Sequence, residues 1–214
     1  MRTIKKVASH IFIDGFGGMT QGLFATLIIG TMIQQIGLLI GGSTGNVIYL
    51  LGKAAAALTS AGIGVGVAVK YGESPLVTVS AAVAAMVGGY AGKITGGTFF
   101  VDGNAVLAGP GEPLGAFIAA FAGITCGHLV SGKTKVDIIV TPVITIGAGS
   151  VVGLLVGPPI SQMMTGLGSI INWATEQRPF IMGIVVSVVM GMVLTLPISS
   201  AALGIILNLS LIHI

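Results

Sequence analysis

Apolar runs long enough to cross a membrane make up most of this chain. A spanning helix needs about 20 largely apolar residues, and the sequence supplies several such runs separated by short polar stretches. Of the 214 residues, 54% are hydrophobic and 7% are charged, whereas about a quarter of the residues in soluble domains are charged. The 35 glycines suit helix packing in lipid, where small residues let backbones approach closely. The sequence therefore predicts an all-α fold, a polytopic membrane helix bundle.

Six runs fit a spanning helix. They are residues 16–40, 47–69, 76–90, 113–130, 136–156 and 180–196. The third is short and rich in alanine and glycine, so we expect it to lie buried among other helices. Pro113 suits the first turn of the fourth, because its missing N–H would be unpaired there. Gly-Pro-Pro at 157–159 is expected to end the fifth, and a seventh apolar segment begins at Ser199.

Two connections are longer than simple turns. Residues 91–112 form a polar, glycine-rich segment with a short apolar island, and a long loop in a compact protein is usually functional or disordered. Residues 157–179 carry apolar side chains at helical spacing together with Trp173. We expect a short helix in the membrane interface, with Trp173 at headgroup depth. A re-entrant hairpin is the alternative.

The basic residues predict the orientation, because Lys and Arg in short loops favour the cytoplasmic side. With the N-terminus in the cytoplasm, only Lys53, Lys93 and Arg178 lie at or near the outer face. The others then lie on the inner side: Arg2, Lys5, Lys6, Lys70, Lys133 and Lys135. We therefore expect a multi-pass protein with a cytoplasmic N-terminus.

The motifs of soluble enzymes are missing from the sequence. There is no phosphate loop, no zinc-protease motif and no pair of cysteines with metal spacing, so we assign no catalytic residue, metal or cofactor. The basic residues are not gathered into a patch, which gives no sign of nucleic-acid binding. Cys126 is interpreted as a small buried hydrophobe, the glycine run at 62–66 as a close helix contact, and His10 and His128 as interfacial side chains.

The acidic residues are more informative, since an ion at membrane depth is costly and tends to face a cavity or a partner. Asp14, Glu73 and Asp137 flank spans on the cytoplasmic side and are interpreted as solvated caps. The others lie in the two irregular outer connections: Asp102, Glu112 and Glu176.

Glu112 stands in the stretch GPGEPLGAF, residues 109–117. The glycines and Pro110 interrupt any helix, and irregular backbone at membrane depth persists only where protein or a water-filled cavity surrounds it. We expect the free N–H groups at the start of the following helix to hold one carboxylate oxygen, while the other accepts hydrogen bonds from a polyhydroxylated ligand. A simple helix cap is the alternative.

A second group of polar residues lies in the stretch NWATEQRP, residues 172–179. Amides and carboxylates pair with sugar hydroxyls, and an aromatic ring can stack on a sugar face, so this group could line a small-solute site beside Trp173. The candidate residues are Asn172, Thr175, Glu176 and Gln177. An interfacial anchor explains the stretch equally well. Residues 195–201, TLPISSA, add a third polar break of the kind that forms binding sites in transporters.

Several stretches together resemble the membrane subunit, IIC, of bacterial phosphoenolpyruvate-dependent sugar phosphotransferase systems. They are FIDGFGGMTQGLFATLIIGTMIQQIG, GPGEPLGAF, LVSGKTKVDIIVTP, GPPIS, INWATEQRPF and LPISSAALGIIL. More narrowly, the chain looks like the stand-alone IIC branch that includes a proposed toxin-gene regulator of clostridia. The similarity covers residues 1 to about 208.

The resemblance implies a homodimeric protein of the bacterial cytoplasmic membrane that moves a sugar for phosphorylation by separate IIA and IIB proteins. Other IIC proteins carry a Gly-Ile-Thr-Glu-Pro-like motif whose glutamate binds the sugar, and only Glu112 and Pro113 match it here. The chain has no IIA or IIB domain, so it is not catalytic alone. A carrier or channel that works without phosphorylation, and a membrane sensor, are the alternatives.

The last residues, LSLIHI at 209–214, resemble the translation of a sequencing adapter. We therefore expect residues 1–208 to be the N-terminal part of one IIC-like domain, with the seventh apolar segment truncated and residues 209–214 forming a non-native tail.

Overall fold

A computed structural model of the chain describes residues 14–101, 103–107, 109–175, 182–184, 187–188 and 191. Its elements are helices joined by short turns, with one small hairpin. In chain order they are α1 (Phe16–Leu23), a π-helical turn (Phe24–Ile28), α2 (Ile29–Ile40), α3 (Gly42–Ala57), α4 (Thr59–Lys70), α5 (Pro75–Gly89), α6 (Ala91–Thr95), β1 (Phe100–Val101), β2 (Asn104–Ala105), α7 (Pro113–Val130) and α8 (Asp137–Thr175).

Helices α1 and α2 form the first predicted span. Together with the π-helical turn they run without interruption over Phe16–Ile40, which is long and apolar enough to cross a membrane. The wide turn begins beside Gly22, whose carbonyl accepts a hydrogen bond from the Thr26 hydroxyl at 2.7 Å. Gly41, with φ of 66°, then ends the span. The prediction for residues 16–40 is confirmed.

The second predicted span is interrupted. Helices α3 and α4 are bent by 52° at a break around Leu58, so they are a broken span or a re-entrant loop. The prediction of one uninterrupted helix over residues 47–69 was therefore wrong. Neither glycine nor proline stands at the break, where the chain reads Ala-Leu-Thr. The Thr59 hydroxyl donates to the Ala56 carbonyl at 2.6 Å.

Glycines bring α1 and α4 into backbone contact. A Cβ added to Gly22 would lie 2.5 Å from the carbonyl carbon of Gly62, and one added to Gly66 would lie 3.1 Å from the Gly22 nitrogen. Such an approach leaves no room for a side chain, which is how small residues drive helix packing in lipid. The interpretation of residues 62–66 as a close helix contact is confirmed.

Helices α5 and α7 complete the centre of the bundle. As predicted, α5 is short, and one of its faces is buried against α4, α7 and α8. Gly88 and Gly115 allow the close approach of α5 and α7, because a Cβ on Gly88 would lie 2.5 Å from the Gly115 carbonyl. Helix α7 begins at Pro113 and is apolar and long enough to span. The prediction for residues 113–130 is confirmed.

Helix α8 is longer than predicted. It starts at Asp137 and continues through Pro158 and Pro159 to Thr175, so the prediction that Gly-Pro-Pro ends the helix was wrong. Proline removes one N–H donor, but in membrane helices neighbouring groups re-satisfy the freed carbonyl, and such prolines are tolerated. Residues 157–175 are thus helical, as expected, but they continue α8 instead of forming a separate interfacial helix. Trp173 is 55% exposed.

Among the described residues, three helices are long and apolar enough to cross a membrane, or four if the bent pair α3 and α4 counts as one span. Helix α5 is a shorter apolar helix. The predicted count of about six spans therefore stays a prediction. Most of its sixth segment, all of its seventh and residues 209–214 lie outside the described residues.

Candidate functional site

The turn that carries Glu112 is attached to the end of α5. We call residues 109–112 the Glu112 loop. The Glu112 N–H donates to the Gly89 carbonyl at 2.7 Å, and the Glu112 carbonyl accepts from the Ala116 N–H at 2.9 Å. Glu112 is therefore the last residue before α7 and is held to both helices through its backbone. The hydrogen bond to Gly89 places the loop beside the end of α5.

Only glycine fits this loop at position 111. Its φ of 74° lies in the left-handed region, where L side chains are strained. A Cβ added there would also lie 2.5 Å from the Ser60 hydroxyl oxygen and 3.0 Å from the Gly89 carbonyl oxygen. Gly111 thus allows the loop to approach α4 and α5 closely at the same point.

Two buried hydroxyls hold the carbonyls of the loop. Ser60, in the first turn of α4, donates to the Pro110 carbonyl at 2.9 Å. The Tyr90 hydroxyl donates to the Gly109 carbonyl through a short hydrogen bond and lies 3.2 Å from the Ala57 carbonyl. Since Ala57 is the last residue of α3, Tyr90 connects the Glu112 loop to the break in the α3–α4 pair.

Packing fixes the Tyr90 ring. The residue is 1% exposed, its ring centroid lies 5.4 Å from that of Phe99, and the Lys93 Nζ lies over the ring at 5.4 Å from its centroid. Burial raises the pKa of the Tyr90 hydroxyl to about 12. The hydroxyl therefore stays protonated at neutral pH and remains a donor.

The Glu112 side chain does not cap α7. It makes no capping hydrogen bond, so the expectation that helix N–H groups hold its carboxylate was wrong, and the simple-cap alternative is not supported either. Its Oε2 is buried and has no hydrogen-bond partner among the residues that the structure describes. A buried oxygen of this kind costs free energy unless something pairs with it.

The pKa of the Glu112 carboxyl lies close to neutral pH. Burial raises the pKa of the Glu112 carboxyl to about 7, and the positive charge of Lys93 opposes the rise. Conversely, burial lowers the pKa of Lys93, and Glu112 opposes that fall. The carboxyl can therefore accept a hydrogen bond as carboxylate or donate one as acid close to neutral pH. Either form can pair with a hydroxyl group of a polar solute.

Comparison with known protein families identifies the chain. The family model described as Phosphotransferase system, EIIC, matches residues 13–212. The chain belongs to the EIIC family. It is accordingly a multi-pass membrane protein and a component of the phosphotransferase transport system. The comparisons with curated proteins and with solved structures gave no match.

In this EIIC chain a second glutamate lies at the other end of the same helices. Glu73 Oε1 is 3.0 Å from His128 Nδ1, and the Glu73 side chain is 9% exposed, against 71% for His128. The interpretation of Glu73 as a solvated cap was therefore wrong. Ser74, the residue before α5, contacts the Ser131 hydroxyl at 3.1 Å. Polar pairs thus fasten the start of α5 to the end of α7.

Asp137, which was predicted to be a solvated cap, lies at the start of α8. Its Oδ1 accepts hydrogen bonds from the Gly132 N–H at 2.9 Å and from the Thr141 hydroxyl at 2.6 Å. It therefore fixes the connection between α7 and α8 from the first turn of α8.

The structure places some of the other predicted site residues, but it does not test their roles. Pro113 stands at the first position of α7, as expected. Asn172 and Thr175 lie in the last turn of α8, whereas Glu176, Gln177 and Asp102 fall outside the described residues. The solute-binding role of residues 172–177 stays a prediction.

Sequence reasoning missed Ser60 and Tyr90. Ser60 follows Thr59 inside an apolar run and gives no sign that it contacts a loop some fifty positions later. Tyr90 did offer a signal. A tyrosine that ends an alanine-rich helix and becomes buried needs a hydrogen-bond partner for its hydroxyl, and the carbonyls of a glycine-proline loop are suitable acceptors.

Proposed function

We propose that this EIIC chain is the sugar-translocating subunit of a phosphotransferase system and that Glu112 contacts the sugar. The observation that carries the proposal is the buried Glu112 Oε2, which has no hydrogen-bond partner among the described residues. A sugar hydroxyl would supply the missing hydrogen bond. Hydrogen bonds to charged groups contribute about 1.5–3 kcal/mol, which is enough to orient a sugar at a single carboxylate.

The position of Glu112 supports a transport role. The Glu112 loop lies against the break between α3 and α4, and broken helices near the middle of transporters form solute sites, because they expose backbone groups inside the bundle. The sugar site and the translocation path would then both lie at the break between α3 and α4. Residues 172–177 are proposed as further sugar contacts on the strength of their amide and carboxylate chemistry.

A IIB partner is proposed to dock at residues 131–137, the connection between α7 and α8. Lys133 and Lys135 are exposed there, and the connection is held in shape by the Asp137 contacts to Gly132 and Thr141. Phosphoryl transfer would take place from the IIB protein to the sugar, so the chain itself positions the acceptor hydroxyl. A homodimer, implied by the family resemblance, is part of the same proposal.

The first test is the binding of radiolabelled sugars and polyols to the purified protein in detergent. We expect saturable binding of one or more sugars, and we expect Glu112→Gln to weaken it by roughly 10- to 100-fold, the equivalent of one charged hydrogen bond. Glu73→Gln is the matched control, because it removes the same charge at the other end of α5 and should leave sugar affinity unchanged. Equal affinities in all three proteins would refute the role of Glu112.

Phosphorylation coupling needs a separate experiment. Membrane vesicles containing the protein are supplied with radiolabelled sugar, with and without a phosphorylated IIB protein. Accumulation of sugar phosphate that requires IIB supports the proposal. Sugar uptake without IIB would favour the phosphorylation-independent carrier, and sugar binding without any uptake would favour a membrane sensor.

A further inference from the structure

The Glu112 loop has few constraints of its own. It contains two glycines with left-handed φ, 79° at Gly109 and 74° at Gly111, and its glutamate makes no side-chain cap. Glycine is the residue with the greatest backbone freedom in the unfolded chain and in loops. The position of the Glu112 carboxylate therefore depends on what holds the loop from outside.

The described contacts that hold the loop are few. The Gly89 carbonyl accepts from the Glu112 N–H, while Ser60 donates to the Pro110 carbonyl and Tyr90 to the Gly109 carbonyl. Both side chains are buried, Ser60 completely. Water has little access to replace either buried hydroxyl, so loss of either one removes a described donor from a loop carbonyl.

We infer that Ser60 and Tyr90 are positioning residues, which clamp the Glu112 loop to the break between α3 and α4 and thereby keep the Glu112 carboxylate in its buried place. Tyr90 carries one hydroxyl proton, which the Gly109 and Ala57 carbonyls share. The loop and the break are thus held by one group, and movement of either changes the support of the other. The clamp rests on the proposed function only for the identity of the ligand that Glu112 meets.

The clamp can be tested without a known ligand. Dicyclohexylcarbodiimide enters apolar sites and adds to a protonated carboxyl group, leaving a stable acylurea on the side chain. Labelling of Glu112 in the purified, detergent-solubilised protein is followed by peptide mass spectrometry over a pH series, together with the thermal unfolding midpoint. Among the described residues, Lys93 is the charged group that acts on Glu112, and Tyr90 is the titratable group at the end of α5.

In the wild-type protein we expect labelling to persist to a pH well above the ordinary range of glutamate. Tyr90→Phe and Ser60→Ala should each lower the midpoint of labelling, and the double variant should lower it by at least about one pH unit, because a released loop lets water reach the carboxylate. Matched controls are Tyr71→Phe, which removes a tyrosine hydroxyl near the start of α1, and Ser80→Ala, which removes a serine bonded within α5.

Unchanged midpoints in Tyr90→Phe, Ser60→Ala and the double variant would overturn the inference. So would a lower unfolding temperature with an unchanged midpoint, since that is the result of a purely structural role. The two proposals fail separately. Sugar binding lost in Glu112→Gln together with fixed labelling midpoints would reject the clamp alone, whereas shifted midpoints in a protein that binds no sugar would reject the sugar site alone.

Discussion

Two turns of the chain have nearly the same sequence but differ in how their glutamates are paired. Gly72-Glu73-Ser74-Pro75 precedes α5, and Gly111-Glu112-Pro113 precedes α7. In the first turn, Glu73 pairs with His128 and the Ser74 hydroxyl accepts from the Val77 N–H. In the second, the glutamate itself occupies the capping position without a capping bond, and Oε2 is buried without a partner among the described residues.

The difference shows that the shared motif does not determine whether the glutamate has a partner, and the ligand-binding role of Glu112 remains a proposal. A carboxylate that already has a partner gains less from a solute than one with a buried oxygen that has none, because only the second carries the cost of an unmade hydrogen bond. A buried carboxyl oxygen without a partner lowers stability, and a ligand that paired with it would supply the missing hydrogen bond.

The first comparison concerns the glycines before each glutamate. Gly111→Ala should destabilise the protein by about 2–5 kcal/mol, which combines left-handed strain with overpacking against the Ser60 oxygen, 2.5 Å from the added Cβ. Gly72→Ala should cost only about 1–2 kcal/mol, from strain alone, since its φ is 70° but nothing lies within 4 Å of the added Cβ. Thermal unfolding of both variants in detergent is the measurement. Equal losses would show that the Glu112 loop is not packed as described.

The second comparison concerns pH. Burial raises the pKa of Glu112 from 4.5 to about 7 in the folded protein, so the folded state binds more protons than the unfolded chain between these values. The contribution of Glu112 to stability should therefore be greatest below about pH 4.5 and fall by up to about 3 kcal/mol as the pH rises to about 7.

Glu112→Gln should remove this fall, and Glu73→Gln should keep it. Unfolding midpoints of the three proteins, measured over a pH series, provide the test. A wild-type protein that loses no stability across this window would contradict the burial of Glu112.

Much of the fold could be predicted from the sequence, because lipid imposes a simple rule on helix length. Residues 16–40 and 113–130 match the structure, and in both cases apolar length and a Gly or Pro at an end carry the information. The fifth span was misjudged at Pro158 and Pro159, since proline ends helices in water more reliably than in a helix bundle within lipid.

The break at Leu58 could not be predicted, because part of what pairs with its backbone comes from far along the chain. The sequence there has neither glycine nor proline, whereas the structure shows Tyr90, far along the chain, at the Ala57 carbonyl. In the candidate site, too, one part could be predicted from the sequence and another could not. Glu112 was recognisable as a charge between helix breakers, but Ser60 and Tyr90 act through tertiary contacts that no spacing reveals.

The third comparison concerns helix capping. Ser74→Ala removes the cap of α5 and the contact with Ser131, which should cost about 1 kcal/mol. Glu112→Gln should have no capping cost, because α7 has no side-chain cap to lose. Hydrogen exchange gives the local readout. We expect faster exchange at Val77 in Ser74→Ala and unchanged exchange in the first turn of α7 in Glu112→Gln; faster exchange there would mean that Glu112 caps α7 after all.

The smallest effect is expected from the pair that looks most like an interaction, Glu73 with His128. His128 is 71% exposed, whereas the Glu73 side chain is 9% exposed. Because solvent screens the pair from the exposed side, we expect its contribution to stay near the value of about 0.2–1 kcal/mol for exposed ion pairs. Glu73→Gln and His128→Gln should each change the unfolding free energy by less than about 1 kcal/mol, and the double variant should add little to either. A larger coupling in this double-mutant cycle would make the Glu73 turn a structural lock comparable to the Glu112 loop. Small values would leave the buried end of α5, where Gly89 and Tyr90 meet the Glu112 loop, as the end at which the bundle depends on single hydrogen bonds.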